Sequence, residues 1–160
     1  MTSSTRVAIA LGSNLGDRHA HLAHAVSRLS KILTNLCHSA WYDTAAVGGP
    51  PDQPRYLNGA VIGETTLSAR ALLGRLLELE GERGRTRPAA MAPRTLDLDL
   101  ILYGDAVIRE PGLQVPHPRF RERLFVLEPL ADIAPDWIDP ETGDPVSGLL
   151  LRARASSAPS

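Results

Sequence analysis

Leucine recurs at every second position from 96 to 102, and this alternation constrains the fold more than any other feature of the chain. Asp97 and Asp99 stand between the leucines. Because successive side chains on a strand point to opposite faces, the pattern predicts a half-buried strand over residues 95–103. The Gly104-Asp105 pair that follows predicts a hairpin turn into a strand at Val107-Ile108.

Two segments carry the periodicity of helices. Leucine and valine recur at spacings of three and four over residues 17–36, which predicts a helix with one core-facing stripe. Asn14 or Asp17 is the expected N-cap of this helix. A second apolar stripe over residues 72–79 predicts a helix that Ser68 caps.

Further strands are predicted around these helices. Apolar runs at residues 7–11 and 56–64 read as buried strands, and residues 38–45 are β-like. The order β, α, β, β, α, β predicts a ferredoxin-like α+β sandwich, an antiparallel sheet with helices on its faces, plus an appended hairpin and C-terminal helices. We expect one domain over residues 1–160, with a small polar tail that frays from about residue 153.

Composition narrows the possible classes of protein. The net charge of −1 argues against an extended nucleic-acid or anionic-membrane surface. The single cysteine, Cys37, excludes an internal disulfide and suits a reducing compartment. The short polar N-terminus lacks the pattern of a secretory signal, and the sequence has no apolar run long enough to cross a bilayer, so we expect a cytoplasmic protein.

The chemistry of the chain concentrates at Asp97 and Asp99. On a strand these carboxylates share one face, roughly 6–7 Å apart. Mg²⁺ prefers hard oxygen ligands and commonly takes one or two carboxylates plus substrate phosphates. Guanidinium groups, the natural partners of phosphate, flank the pair in sequence. They are Arg83, Arg85, Arg87 and Arg94.

Simpler interpretations of the same residues remain open. The two aspartates could form the solvated face of an amphipathic hairpin, or pair with the arginines in structural salt bridges. His117 could donate to a phosphate or lie in a loop without a role. Tyr56 and Phe125 could be core aromatics or could stack on a planar ring. The turn at Gly12-Ser13-Asn14 is not a Walker A loop, because the required lysine is absent.

Several segments together resemble the 6-hydroxymethyl-7,8-dihydropterin pyrophosphokinase family of folate biosynthesis. The resemblance covers nearly the whole chain in the right order, and the Pro-Arg-Thr-Leu-Asp-Leu-Asp block is its most specific part. The matching segments are residues 7–17, 52–58, 84–87, 93–100 and 115–117.

The resemblance implies transfer of pyrophosphate from ATP to the pterin hydroxymethyl group, with release of AMP. It implies two Mg²⁺ ions, a monomer, and no nucleic-acid or membrane partner. By resemblance, the catalytic residues are Arg85, Arg94, Asp97 and Asp99, of which Asp97 and Asp99 bind the metal. The pterin-binding residues are Thr44, Ala45, Val47, Tyr56, Asn58 and Phe125. The ATP-binding residues are Leu73, Glu80, Arg87, Arg94, Leu100, His117 and Arg123.

Two alternatives compete with this enzyme. Residues 88–92 lack the basic residue and tryptophan that relatives carry there, which predicts slower turnover and leaves open a non-catalytic pterin- or nucleotide-binding homologue. RNA-recognition domains share the βαββαβ order. However, only 4% of the residues are aromatic, and aspartates occupy the strand where such domains carry stacking aromatics.

Overall fold

The computed structural model describes residues 3–45, 54–83 and 95–157. Within these ranges the chain forms strands, α-helices and one short 3₁₀-helix. They are, in chain order, β1 (Thr5–Ser13), α1 (Arg18–Leu29), β2 (Thr34–His38), β3 (Tyr42–Thr44), β4 (Tyr56–Thr65), α2 (Ala69–Glu82), β5 (Asp97–Tyr103), β6 (Ile108–Glu110), β7 (Leu113–Val115), the 3₁₀-helix (Phe120–Glu122), α3 (Leu124–Ile133) and α4 (Val146–Ser157).

One antiparallel sheet organises the molecule. Its strand order is β2-β4-β1-β5, and β3 also pairs with β4. The central β1 is an almost continuous apolar run, as expected for a strand covered on both faces. Strands β6 and β7 form a separate two-stranded hairpin. The ferredoxin-like prediction, with an appended hairpin and C-terminal helices, is confirmed.

The two faces of the sheet carry two apolar cores. Val7, Ile9 and Leu11 of β1 pack into the core shared with α1 and α2. Ala8 and Ala10 point to the opposite face and pack into the core shared with α3 and α4. Part of the candidate site described below lies on this second face.

The first helix ends earlier than predicted. Asp17 caps it by accepting a hydrogen bond from the Ala20 N–H, but the helix stops at Leu29 and β2 begins at Thr34. The Lys31 and Ile32 N–H groups donate to carbonyls three residues back, which tightens the last turn. Leu33 lies beyond the helix but is buried in the same core as Leu22 and Leu29 of α1. Its helical spacing from these residues is why the predicted helix was too long.

Two other predictions are corrected at turns and termini. The expected hairpin of β5 with residues 107–108 does not form, because β6 pairs with β7 through a turn at Gly112, which has a φ of +76°. The tail expected to fray from about residue 153 is helical to Ser157. Ala153 lies one helical turn beyond Leu149 and Leu150 and is buried with them, so packing holds the end of the helix.

The predicted cap of the second helix is confirmed, since the Ser68 hydroxyl accepts from the Ala71 N–H at 3.1 Å. None of the helices in the described ranges is both long enough and apolar enough to span a membrane.

Candidate active site

The candidate site lies where three neighbouring strands meet at one end of the sheet. In the sheet register, Gly12 of β1 stands opposite Asn58 of β4 on one side and Asp97 of β5 on the other. Ala10, two residues earlier, stands opposite Asp99. Residues directly opposite one another in antiparallel strands share a face. Asn58, Gly12 and Asp97 therefore form a row across the second face of the sheet.

Gly12 is required by the close approach of its neighbours. A Cβ atom at this position would lie 2.9 Å from Asn58 Oδ1 and 3.4 Å from Tyr56 Cδ1. The first of these distances is too short for a real Cβ contact. The absence of a side chain at Gly12 thus makes a shallow floor between Asn58 and Asp97. The sequence interpretation placed a turn at Gly12, whereas β1 continues to Ser13.

The Asn58 side chain is held on the β3 side of this floor. Asn58 is buried, with a relative exposure of 5%, and its Nδ2 donates to Thr44 Oγ1 at 2.5 Å. Thr44 stands opposite Tyr56 in the register of β3 and β4. Three of the predicted pterin-binding residues, Thr44, Tyr56 and Asn58, are therefore brought together.

The segment that leads from the 3₁₀-helix into α3 supplies the next groups. The Arg123 guanidinium lies 5.5 Å from the centroid of the Phe125 ring, a cation–π distance. Both side chains are half-buried. Arg123 also acts electrostatically on His117, as does Asp97, so the structure brings Asp97, His117 and Arg123 within range of one another.

His117 is fixed on both its backbone and its ring. Its N–H donates to the Ile101 carbonyl at 3.0 Å, and its Nδ1 accepts from the Arg119 N–H at 3.2 Å. Burial lowers the pKa of His117, and the charge of Arg123 lowers it further, against an opposing effect of Asp97. At neutral pH the ring is neutral, and because Nδ1 is an acceptor, the proton lies on Nε2.

A cleft of about 320 Å³ runs along β5, the edge strand of the sheet. Leu73, Leu100 and His117, all predicted for the ATP side, line it together with Asp99. The sequence analysis did not assign five other lining residues. They are Leu98, Gly112, Leu113, Gln114 and Pro118. Leu98 could have been predicted from the leucine alternation, because it shares a face with Leu100. The lining residues of the β6–β7 hairpin could not, because the sequence did not predict the pairing of these two strands.

Glu80, another predicted ATP-side residue, is buried on α2 with a relative exposure of 3%. Its Oε2 accepts a hydrogen bond from the Leu98 N–H at 2.7 Å. This bond satisfies an outward-facing backbone donor of the edge strand and ties β5 to α2. Glu80 thereby steadies the strand that carries Asp97 and Asp99.

Asp97 and Asp99 are both half-buried, in a strand whose intervening Leu98 is buried. They share a face, as predicted. Asp97 stands in the row with Gly12, and Asp99 lines the cleft. Within residues 3–45, 54–83 and 95–157, no three or more His, Cys, Asp or Glu side chains are grouped as metal ligands. A cation bound here would take its remaining ligands from substrate and water, as Mg²⁺ usually does in proteins.

The remaining predicted residues are placed as follows. Ala45 is exposed at the end of a described range. Val47, Arg85, Arg87 and Arg94 lie outside the described residues.

Comparison with known proteins shows that the sequence of this chain matches one family. Residues 8–135 match the family model of 7,8-dihydro-6-hydroxymethylpterin-pyrophosphokinase (HPPK). Three proteins named 2-amino-4-hydroxy-6-hydroxymethyldihydropteridine pyrophosphokinase are similar. The one from Synechocystis sp. is 43% identical over 145 residues, covering 89% of this chain and 73% of the relative. The one from Pseudomonas aeruginosa is 41% identical over 132 residues, covering 82% of each. The one from Bacillus subtilis is 46% identical over 127 residues, covering 78% of this chain and 75% of the relative.

Solved structures agree on the fold. The crystal structure of wild-type Plasmodium falciparum HPPK-DHPS aligns with 97% of this chain at a TM-score of 0.76 and 12% identity. A triple mutant of the same protein with SDX-DHP aligns with 98% at a TM-score of 0.78. The chain spans just under half, 46%, of each of those longer chains.

Proposed function

Because the chain belongs to the 7,8-dihydro-6-hydroxymethylpterin-pyrophosphokinase family, we propose that it transfers pyrophosphate from ATP to the hydroxymethyl oxygen of 6-hydroxymethyl-7,8-dihydropterin. AMP and the pterin diphosphate are the products, in a step of folate biosynthesis. The observation that carries the proposal is the row of Asn58, Gly12 and Asp97. It sets a hydrogen-bonding floor for a flat ring directly beside carboxylates that suit a metal–phosphate complex.

The pterin lies over the floor at Gly12. Tyr56 and Phe125 contact its flat ring, and Asn58 reads its amide edge by hydrogen bonds. The bond from Asn58 to Thr44 fixes the amide before the substrate arrives. By the family resemblance, Ala45 and Val47 are further pterin-binding residues.

ATP occupies the cleft along β5. Leu73 and Leu100 give apolar contact to the base, and the neutral His117 donates from Nε2 to a phosphate oxygen. Arg123 offers a planar guanidinium beside His117. By the family resemblance, Arg87 is a further ATP-binding residue, and Glu80 supports this side of the site from α2.

The residues present fit a magnesium site. Asp97 and Asp99 offer two carboxylates on one face of a strand that α2 steadies, and we propose that they hold two Mg²⁺ ions with the ATP phosphates. When bound, Mg²⁺ supplies neutralisation of the phosphate charge that otherwise opposes an attacking oxygen.

In the reaction, the pterin hydroxymethyl oxygen forms a bond to the β-phosphorus of ATP. The bond from that phosphorus to the bridging α-oxygen breaks, and its electron pair leaves with AMP. We propose Asp97 as the group that helps to accept the hydroxyl proton. Arg85, Arg94 and Arg123 stabilise the charge on the transferred group, so the protein contributes positioning and electrostatics rather than a covalent nucleophile.

We also propose that the protein acts as a cytoplasmic monomer whose partners are its two small-molecule substrates. The near-neutral net charge of −1 supports the absence of a nucleic-acid or membrane surface.

The direct test is AMP release by the purified chain with ATP, Mg²⁺ and 6-hydroxymethyl-7,8-dihydropterin, each omitted in turn. We expect AMP only in the complete mixture, and a loss of at least about 100-fold in Asp97→Ala, the scale of removing one preorganised electrostatic group. Asp105→Ala, an exposed turn aspartate in the same region, is the matched control and should keep full activity. Binding of both substrates without AMP formation would instead support a non-catalytic homologue.

A further inference from the structure

Three charged side chains from three parts of the chain meet beside the pterin side of the site. Asp43 lies in β3, Arg55 directly precedes β4, and Arg18 is the first residue of α1. Arg55 Nε donates to Asp43 Oδ1 at 2.7 Å, and Arg18 Nη2 donates to Asp43 Oδ2 at 3.3 Å. Each carboxylate oxygen thus receives one guanidinium. We call these three residues the Asp43 triad.

The triad also holds the backbone. Arg55 Nη2 donates to the Asp43 carbonyl at 3.0 Å, and Arg18 Nη1 donates to the Arg55 carbonyl at 3.1 Å. The adjacent Pro54 carbonyl accepts from Asn14 Nδ2 at 3.2 Å, and Asn14 is buried with a relative exposure of 1%. The two carbonyls directly before Tyr56 are therefore both bound by side chains of the segment that joins β1 to α1.

These contacts act on a short strand, which is otherwise held by its pairing with β4 and by a hydrogen bond from the Tyr42 hydroxyl to Asp132 of α3. Strand β3 is three residues long and pairs only with β4 among the described strands. It nevertheless carries Thr44, which binds Asn58 and stands opposite Tyr56. The distance between the pterin-side groups of β3 and β4 depends on how these two strand ends are held together.

Asp43 itself does not face the site. Successive strand residues point to opposite faces, so the Asp43 carboxylate points away from the face of Thr44 and Asn58. Its side chain is half exposed, at 50%, and that of Arg55 is 60% exposed. An exposed ion pair of this kind contributes little to global stability. We therefore expect the loss of this ion pair to change the local spacing of β3 and β4 and to leave the free energy of unfolding nearly unchanged.

We propose that Asp43 is a positioning residue for the pterin substrate, acting through Arg55 and Arg18 to set the spacing of Thr44, Tyr56 and Asn58. The proposal rests on the proposed function. It assigns a role to Asn14 and to the start of α1 that is distinct from phosphate binding, since Asn14 and Arg18 supply the side chains that hold the backbone before Tyr56.

The test compares steady-state kinetics of Asp43→Asn with those of the parent. We expect the pterin KM to rise about five- to tenfold, while kcat and the ATP KM stay within about twofold, because a misplaced binding face weakens uniform binding of one substrate. Asp144→Asn is the matched control. Asp144 lies two residues before α4 and pairs with Arg152 of that helix at 3.1 Å. Neither residue is assigned to a substrate, so the loss of this pair should leave all three parameters unchanged.

A charge-exchanged variant, Asp43→Arg with Arg55→Asp, separates positioning from the loss of a particular side chain. We expect its pterin KM to return most of the way to the parent value, because the attraction between the two strand ends is restored. A pterin KM for Asp43→Asn equal to that of the parent would overturn the proposal. So would an equal loss in both KM values and kcat accompanied by a lower melting temperature, since that pattern marks general destabilisation.

Failure of the proposed function would look different. If the parent forms no AMP with the pterin, the function is wrong, and the role of Asp43 is then decided by calorimetry. Pterin Kd values for parent, Asp43→Asn and Asp144→Asn would be compared, with a weaker Kd only in Asp43→Asn supporting the proposal and equal values overturning it.

Discussion

At the scale of single residues, the candidate site depends on Gly12 as much as on its charged groups. Gly12 has a carboxylate on one neighbouring strand and an amide on the other, and it contributes only backbone between them. A ring can approach a sheet closely only where side chains are absent. The strand pattern predicted an apolar β1, but the requirement for glycine becomes visible only once β4 and β5 are placed beside it.

We predict that Gly12→Ala weakens pterin binding about tenfold, which corresponds to a loss of about 1.4 kcal/mol of binding free energy. The new Cβ would lie 2.9 Å from Asn58 Oδ1, so Asn58 must move from its bond to Thr44. Calorimetric titration with the pterin measures the effect. Gly81→Ala, where a Cβ meets nothing within 4 Å, is the control and should bind the pterin as the parent does. Unchanged pterin affinity in Gly12→Ala would contradict this view of the floor.

At the scale of elements, α2 both covers the sheet and fixes its edge. Its apolar side packs Leu72, Leu76 and Leu79 into the first core. Its Glu80 carboxylate binds the backbone of β5. The helix therefore links global packing to the placement of Asp97 and Asp99. Its interior nonetheless contains Gly74, a residue that disfavours helix formation.

Replacing Gly74 by alanine should stabilise the protein by about 0.5–1 kcal/mol, the usual difference between these residues inside a helix. The added Cβ meets nothing within 4 Å, so no clash offsets the gain. Chemical denaturation gives the free energy of unfolding.

Gly143→Ala is the same substitution at a position where we expect it to destabilise the protein. Gly143 has a φ of +78° and closes the turn at Asp139, so alanine should destabilise the protein by about 1 kcal/mol. A gain in stability at position 143, or a loss at position 74, would show that the backbone argument is wrong.

The same scale shows what the sequence could predict. The alternation before Tyr103 and the caps at Asp17 and Ser68 identified their elements because local side-chain chemistry decides them. The end of α1 was missed because Leu33 continues the apolar spacing into the same core after the helix has ended. The partner of β6 depends on tertiary pairing, which no local pattern encodes.

The candidate site was predictable to a similar extent. The candidate residues on β4 and β5 came from the leucine–aspartate alternation and from the family resemblance. The sheet register places Asn58 and Asp97 in one row across Gly12, which the sequence did not predict. The Asp43 triad and the hairpin side of the cleft were missed. Their residues are far apart in sequence and have no shared motif, so only the fold brings them together.

At the scale of the whole molecule, histidines in contact between elements make stability depend on pH. His21 on α1 accepts a hydrogen bond at Nδ1 from Arg83 Nε, at 2.9 Å, just beyond the end of α2. Burial lowers the pKa of His21 from 6.5, with Arg83 and His24 also lowering it and Asp17 opposing them. The folded protein therefore binds fewer protons at His21 than the unfolded chain just below pH 6.5.

The sign of the pH effect follows from this difference in bound protons. The contribution of neutral His21 is fully present above pH 6.5 and is lost as the pH falls from that value through the lower pKa of the folded state. We expect His21→Asn, which keeps an acceptor but cannot titrate, to lose less stability than the parent between about pH 7 and pH 5. Urea denaturation across this range measures it, with the exposed His19→Asn as control. A parent and His21→Asn with equal slopes would rule out this coupling.

For the whole molecule, we propose that the pterin side and the metal–phosphate side meet at one row of the sheet and that two phosphoryl groups move together onto the pterin. The most direct measurement uses ATP labelled at the β-phosphorus, with Mg²⁺ and 6-hydroxymethyl-7,8-dihydropterin, and follows the label into products. We predict AMP and a labelled pterin diphosphate in equal amounts. Formation of ADP with an unlabelled pterin monophosphate, or ATP breakdown with no phosphorylated pterin, would contradict it.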